Sequence, residues 1–267
     1  MKLLGKLRRG KEFQNLKSKI IFQLRRLQYC RRKFFKKEKD KSIYLFNHIP
    51  KCGGTSLKKI LNRWFYIISD YPPHDLTYPD PKEHGKALTA FINKRPNYLS
   101  QMPWEITIGH YHKPEFNVFE RFPNWREIKN VKMITFIRDP LEHRISHYYF
   151  GIRKGHSYLK GTNLKEYILN RELNFISKSL GCTIGNYREV LDSYYFIGTV
   201  EEFEKSIFEL SMMLNRKIPK GIPHSNRTEK NIKKEDLPED FVQDFKEKNW
   251  LDYLIYDYVC ELRSLKN

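Results

Sequence analysis

The sequence predicts an α/β fold, with a central, mostly parallel sheet flanked by helices. Three observations predict it: short apolar runs recur after Asp40, helical periodicity follows most of them, and no Gly/Ser/Pro-rich linker divides the series. Strands that alternate with helices form βαβ units, whose sheets are covered on both faces and so read as near-continuous hydrophobic runs. Hydrophobic residues make up 40% of the 267, enough for one sizeable core. One domain at 42–267 is expected, with a basic arm at 1–41 before it.

The arm comes first. Residues 1–41 hold 16 Lys/Arg against Glu12, Glu38 and Asp40, a net +13 of the chain's +19. Phe13, Leu16, Ile20, Leu24 and Leu27 recur at three- and four-residue steps, so a helix here would carry an apolar face. Three readings stand side by side: a solvated basic helix or disordered arm, a helix lying on an anionic membrane surface, and a nucleic-acid-binding arm.

The domain opens with IYLFNHI (43–49), a buried strand, running into PKCGG and then TSLKKILNRWFYII, where Leu57, Ile60, Leu61 and Trp64 mark a helix face. Residues 70–85 are proline-rich and read as a long surface loop. A second strand is expected at 106–110 and a third at 131–137 (VKMITFI), which feeds RDP and the helix LEHRISHYYF. A fourth at 194–199 (YYFIGT) precedes the helix EEFEKSIFELSMML. In such sheets ligands bind at the carboxyl ends of the strands.

Several classes are excluded. No run of about 18 apolar residues is present, so no membrane-spanning helix is expected, and charges break the N-terminal apolar stretch too early for a signal peptide. Cys30, Cys52, Cys182 and Cys260 are scattered, with no zinc spacing and no disulfide framework. A reducing cytoplasm is the expected location, with peripheral contact at the inner face of the membrane if the arm binds lipid.

Two constellations carry chemistry. In Ile49-Pro50-Lys51-Cys52-Gly53-Gly54-Thr55-Ser56, the glycines allow a tight turn and close approach of a ligand, and the new helix aims free N–H groups at it. Lys51 adds a mobile charge, and Thr55 and Ser56 add hydroxyls. This is a phosphate cradle, but not a Walker A loop, because Lys precedes the glycines. The second constellation is Phe136-Ile137-Arg138-Asp139-Pro140, with Ser146 eight residues after Arg138. Arg138 at a strand end can grip a phosphate bidentately, and Ser146 can add a hydroxyl. The bland reading of this second segment is a structural Arg–Asp turn closed by Pro140.

IPKCGGTS together with FIRDPLEHRISHYY resembles the two nucleotide-binding motifs of the sulfotransferases, in the carbohydrate branch that includes heparan sulfate and uronyl 2-O-sulfotransferases. FIGTVEEFEKSI (196–207), the basic loop HSNRTEK (224–230) and LDYLIYDY (251–258) are similar to later segments of that family. The resemblance spans roughly 42–262. It implies a three-layer, P-loop-like fold and 3′-phosphoadenylyl sulfate (PAPS) as sulfuryl donor, with no metal. Lys51, Cys52, Gly53, Gly54, Thr55 and Ser56 would then hold the 5′-phosphosulfate, and Arg138 and Ser146 the 3′-phosphate. Cys52 stands where Thr or another small residue is common, and would act through its backbone. The animal members are membrane-anchored, so the missing anchor suggests a soluble, bacterial-type member.

Sulfuryl transfer needs a base for the acceptor hydroxyl, and histidine suits that task near neutral pH. In Ile108-Gly109-His110-Tyr111-His112 the two imidazoles share one side of an extended segment. The resemblance makes His110 the first candidate and His112 the second. Lys51 gains a second role, stabilising charge on the leaving phosphate oxygen. His48 reads as a packing residue, and His143 and His147 as lying on outer faces of their helix. Residues 70–85 and 111–126 are read as the acceptor wall, where Lys113, Arg121 and Arg126 either meet an anionic glycan or remain solvated charges. The acceptor expected is a glycan hydroxyl; a protein tyrosine or a lipid hydroxyl is the alternative within the family. Outside it stand a polyanion- or nucleic-acid-binding protein and a P-loop kinase. Nucleic acid is not the expected partner, because most of the charge excess is confined to the arm.

Overall fold

The computed structural model describes residues 20, 23, 24, 27, 42–73, 80–111, 116–128, 130–218, 221 and 232–265. The chain divides into two units, Met1–Lys41 and Ser42–Asn267. In the first, Ile20, Leu24 and Leu27 are helical, and they are 51%, 54% and 65% exposed. Their spacing places them on one helix face, so that apolar stripe is open to solvent. Among the described residues no helix is long and apolar enough to cross a membrane.

The second unit is the expected parallel α/β sheet, with five strands where four were expected. In chain order the elements are β1 (Ile43–Asn47), α1 (Gly54–Trp64), β2 (Tyr66–Asp70), α2 (Pro81–Asn93), β3 (Glu105–Gly109), α3 (Val118–Arg121), β4 (Val131–Ile137) and α4 (Pro140–Lys154). There follow α5 (Leu164–Leu169), α6 (Phe175–Leu180), α7 (Tyr187–Asp192), β5 (Phe196–Thr199), α8 (Phe203–Met213), α9 (Glu239–Lys248) and α10 (Trp250–Ser264). The strand order is β2-β3-β1-β4-β5, with every pair parallel.

β1 lies at the centre, and all five of its residues are buried. The main core joins it to Leu57, Ile60, Leu61 and Trp64 of α1, Ile207 and Leu210 of α8, and Ile255 and Val259 of α10. A smaller cluster packs α4, α5 and α9 together through Leu141, Ile145, Tyr149, Ile168 and Phe245. The neighbours of β1 are β3 on one side and β4 on the other, so the chain reverses its direction of travel across the sheet there. That reversal opens a crevice at the carboxyl ends of these strands.

Two stretches differ from the sequence reading. The helix expected to run through FYII ends at Trp64, where Phe65 turns extended (φ −132°, ψ 161°), and residues 66–70 pair with β3 instead. Aromatic and β-branched residues lose side-chain freedom in a helix and suit a pleated edge. The loop expected across 70–85 contains the start of α2. Asp80 caps that helix by accepting from the Lys82 N–H, with proline in the first turn. Residues 74–79 lie outside the described residues. β1 stops two residues early, since Pro50 has no N–H to continue a ladder.

Candidate functional site

The cradle sits where β1 delivers it. The Cys52 N–H donates to the Ile49 carbonyl, and Gly53 at φ +72° caps α1 as the Ser56 and Leu57 N–H groups donate to its carbonyl. A Cβ on Gly54 would lie 1.7 Å from His48 Nε2, so only glycine fits beneath that ring. The first turn of α1 contains no acidic side chain, which leaves its positive end uncompensated. Thr55 is exposed and Ser56 buried. Cys52 is 1% exposed, and burial pushes its thiol pKa up, so it remains a neutral thiol.

Lys51 has a positive φ of +65°, a conformation that non-glycine residues adopt at a cost. Its Nζ lies 4.0 Å from the centre of the Phe150 ring on α4. Burial first, then Arg153 and Arg138, lower its pKa from 10.5 to about 8. A desolvated ammonium beside two guanidiniums is a group that a bound anion would relieve.

Arg138 ends β4, and its Nη2 donates to Glu142 Oε2 at 2.8 Å, while Nε lies 4.0 Å from Glu201 Oε1. That Nε is buried and has no hydrogen-bond partner among the described residues. Asp139 caps α4 by accepting from the Glu142 N–H, receives Lys234 Nζ at 2.6 Å, and its own N–H donates to Glu201. Ser146 is half-buried, one turn beyond His143.

His143 was expected on an outer face. It is 2% exposed, and its Nε2 meets the Pro50 carbonyl at 3.0 Å. A carbonyl only accepts, so Nε2 carries the proton and α4 holds the phosphate loop from behind. Burial, with Arg144 and His147, keeps the His143 pKa well below 6.5. His147 is not on an outer face either. Its Nδ1 lies 2.6 Å from the Tyr167 hydroxyl, and burial, with Arg171 and Arg144, lowers its pKa to about 4. His143 faces away from the Leu141 and Ile145 side of α4 and stacks on Phe175 at 5.1 Å, so the apolar spacing of the helix carries no signal for its burial.

His110 emerges from β3 beside the cradle. Its Nε2 lies 3.0 Å from Nδ1 of His48, at the end of β1, and the Tyr71 hydroxyl lies 3.0 Å from the same His48 nitrogen. The Lys58 ammonium, from α1, covers the Tyr71 ring at 4.8 Å. His112 and Lys113 lie outside the described residues, as does the basic loop at 224–230.

The expected acceptor wall is corrected at Arg121. Arg121 is buried and forked onto Asp70, with Nη2 to Oδ1 at 2.7 Å and Nε to Oδ2 at 2.9 Å. Arg126 pairs with Glu189 at 2.9 Å on the surface. The aromatics of 111–126 face inward too: Tyr111, Phe116, Phe122 and Trp125 belong to the core.

Fold and crevice define a class: a parallel α/β protein that gathers a glycine-turned helix start, two cations and a histidine pair around one switch point. The sequence profile of the sulfotransferase family matches residues 32–259, and the chain belongs to that family. No curated protein matches the chain. Among solved structures it is similar to a sulfotransferase from Alicyclobacillus acidocaldarius, with 12% identity, 82% of this chain and 96% of that chain covered, and a TM-score of 0.45.

Proposed function

We propose that the chain transfers a sulfuryl group from PAPS to an acceptor hydroxyl, with a carbohydrate as the acceptor class and His110 as the base. The observation that carries the donor assignment is the buried Nε of Arg138, which makes no hydrogen bond among the described residues, next to a loop whose lysine is desolvated and near two other cations. A guanidinium with an open donor suits a terminal phosphate. The N–H groups at the start of α1 and the Lys51 ammonium suit a second anionic group. PAPS, when bound, supplies an activated sulfuryl group on a phosphate leaving group. On this reading His110 takes the acceptor proton, and Lys51 meets the charge that grows on the departing oxygen. The carbohydrate assignment rests on the Gly109-His110 pair and its likeness to the carbohydrate branch.

Calorimetry with 3′-phosphoadenosine 5′-phosphate (PAP) tests the donor site. Micromolar binding is expected for the wild type, with ATP much weaker. Arg138→Ala is expected to weaken PAP by about 10–150-fold, the loss of a charge-assisted hydrogen bond. Equal affinity in both proteins overturns the assignment. A panel of oligosaccharides, tyrosyl peptides and hydroxylated lipids, each incubated with PAPS, tests the acceptor, and sulfation of a peptide or lipid alone would reassign it.

The charge state of Lys51 adds a pH signature. Below about 8 its ammonium is present in the free protein; above that, binding an anion must first take up a proton. PAP affinity is therefore expected to fall as pH rises past 8, approaching about tenfold per unit if the charge is required. Lys51→Arg, which stays protonated, should bind with a flat profile over the same range.

A further inference from the structure

We propose that His48 is a positioning residue for His110: its Nδ1 accepts the Nε2–H of His110, leaving the lone pair of His110 on Nδ1 to receive the acceptor proton. This rests on the reading of His110 as the base.

The two rings come from the carboxyl ends of neighbouring strands, joined by the His48 N–H donating to the Gly109 carbonyl. Their centroids are 4.4 Å apart, the planes meet at 89°, and Nε2 of His110 lies 3.0 Å from Nδ1 of His48. Two imidazole nitrogens share a hydrogen bond only when one carries a proton and the other does not. A bare His48 Nδ1 can serve either neighbouring donor, whereas a protonated one could not accept from His110. The Tyr71 hydroxyl lies 3.0 Å away, and burial raises the Tyr71 pKa, so the phenol keeps its proton.

His48 cannot swing away. Its ring stacks on Phe46 at 5.4 Å and fills the space above Gly54 that a Cβ would occupy. Residue 54 is therefore held to glycine by the histidine, and the phosphate loop and the base share one support. When His110 takes the acceptor proton it becomes a charged donor, stronger than the neutral phenol, and the single lone pair of His48 serves it preferentially. Proton bookkeeping closes: one proton leaves the acceptor hydroxyl and appears on His110 Nδ1, while Nε2–H stays in place. Fixing a tautomer through the other ring nitrogen is the work that a carboxylate does behind a catalytic histidine.

The test is a long-range 1H–15N spectrum of the imidazole nitrogens in the full chain, for wild type, His48→Asn and His48→Leu, with His110→Asn for assignment. PAP affinity reports whether each variant is folded. Wild-type His110 is expected to carry its proton on Nε2. His48→Asn retains an oxygen acceptor near the Nδ1 position and should preserve both the tautomer and most of the turnover. His48→Leu should let the proton redistribute between the ring nitrogens and lower kcat about 10–100-fold, with KM for PAPS and acceptor little changed. A wild-type proton on Nδ1 overturns the proposal, and that spectrum decides even if His48→Leu does not fold. An unchanged tautomer and kcat in His48→Leu also overturn it. So does a loss in His48→Asn as deep as that in His110→Asn, which would make His48 the base. If the wild type sulfates no acceptor, the functional reading fails separately, while the spectra still decide the bond between the two histidines.

Discussion

Lys51→Ala is expected to lower turnover with PAPS on the order of 10²–10³-fold, the scale seen when one donor to a developing oxyanion is lost. The lysine sits in the turn itself, at φ +65°, with its ammonium over Phe150 and its pKa pulled to about 8 by burial and by Arg153 and Arg138. A cation so placed gains more from an oxygen that is acquiring charge than from the same oxygen before bond cleavage, so kcat should fall further than KM rises. Lys51→Arg should recover part of the loss. Stability should move the other way. The folded pKa lies below the ordinary lysine value of 10.5, so between about 8 and 10.5 the unfolded chain binds more protons and wild-type stability rises with pH. Below about 8 the buried charge opposes folding in full. Removing it should therefore leave Tm at pH 7 unchanged or higher. Steady-state kinetics and a thermal melt check both halves, and a kcat within a few-fold of wild type sinks the leaving-group role.

Arg121→Met is expected to cost about 3–5 kcal/mol of stability, because it strands a buried carboxylate. The Arg121 and Asp70 side chains are 3% and 9% exposed, and their fork is two-pronged. Arg121 also donates from Nη1 to the Phe91 carbonyl at 2.7 Å and packs on the Phe91 ring at 4.0 Å. Tyr111 alone among the described side chains would then remain on Asp70, through its hydroxyl at 3.1 Å. Urea denaturation measures the loss, and the double variant Asp70→Asn, Arg121→Met should recover part of it, because no ionised group is then left without its partner. A cost under about 1 kcal/mol would mean that the pair is solvated. The pair also bears on the site. Asp70 ends β2 one residue before Tyr71, and its carbonyl presses on Gly109, where a Cβ would come within 2.2 Å. Loosening Arg121 should therefore disturb the strand ends from which Tyr71 and His110 emerge.

Much of this arrangement was legible in contiguous residues. The run VKMITFI could hardly be anything but a buried strand, and the helix face of Leu57, Ile60, Leu61 and Trp64 is written in its spacing. The Gly53-Gly54 pair states its own need for a tight turn, and Gly53 takes the positive φ; that His48 leaves residue 54 no room for a Cβ is visible only in the structure. Such features depend on residues a few positions apart, whose conformational preferences act before any tertiary contact forms.

What the chain did not disclose depends on which strand ends become neighbours. FYII could continue a helix or pair at an edge, and only the presence of β3 beside it decided for the strand. His48 and His110 are 62 residues apart, Asp70 and Arg121 are 51, and Pro50 and His143 are 93. Arg121 carries the same charge on paper as a surface arginine; the carboxylate that pairs with it lies at the end of β2, 51 residues away. By itself the sequence determined the parallel sheet, the glycine turn and the arginine at the end of β4, since each follows from local periodicity and backbone sterics. Only the tertiary structure decided the partners of each charged and titratable side chain, because that choice depends on the order β2-β3-β1-β4-β5, to which no short stretch of residues commits the chain.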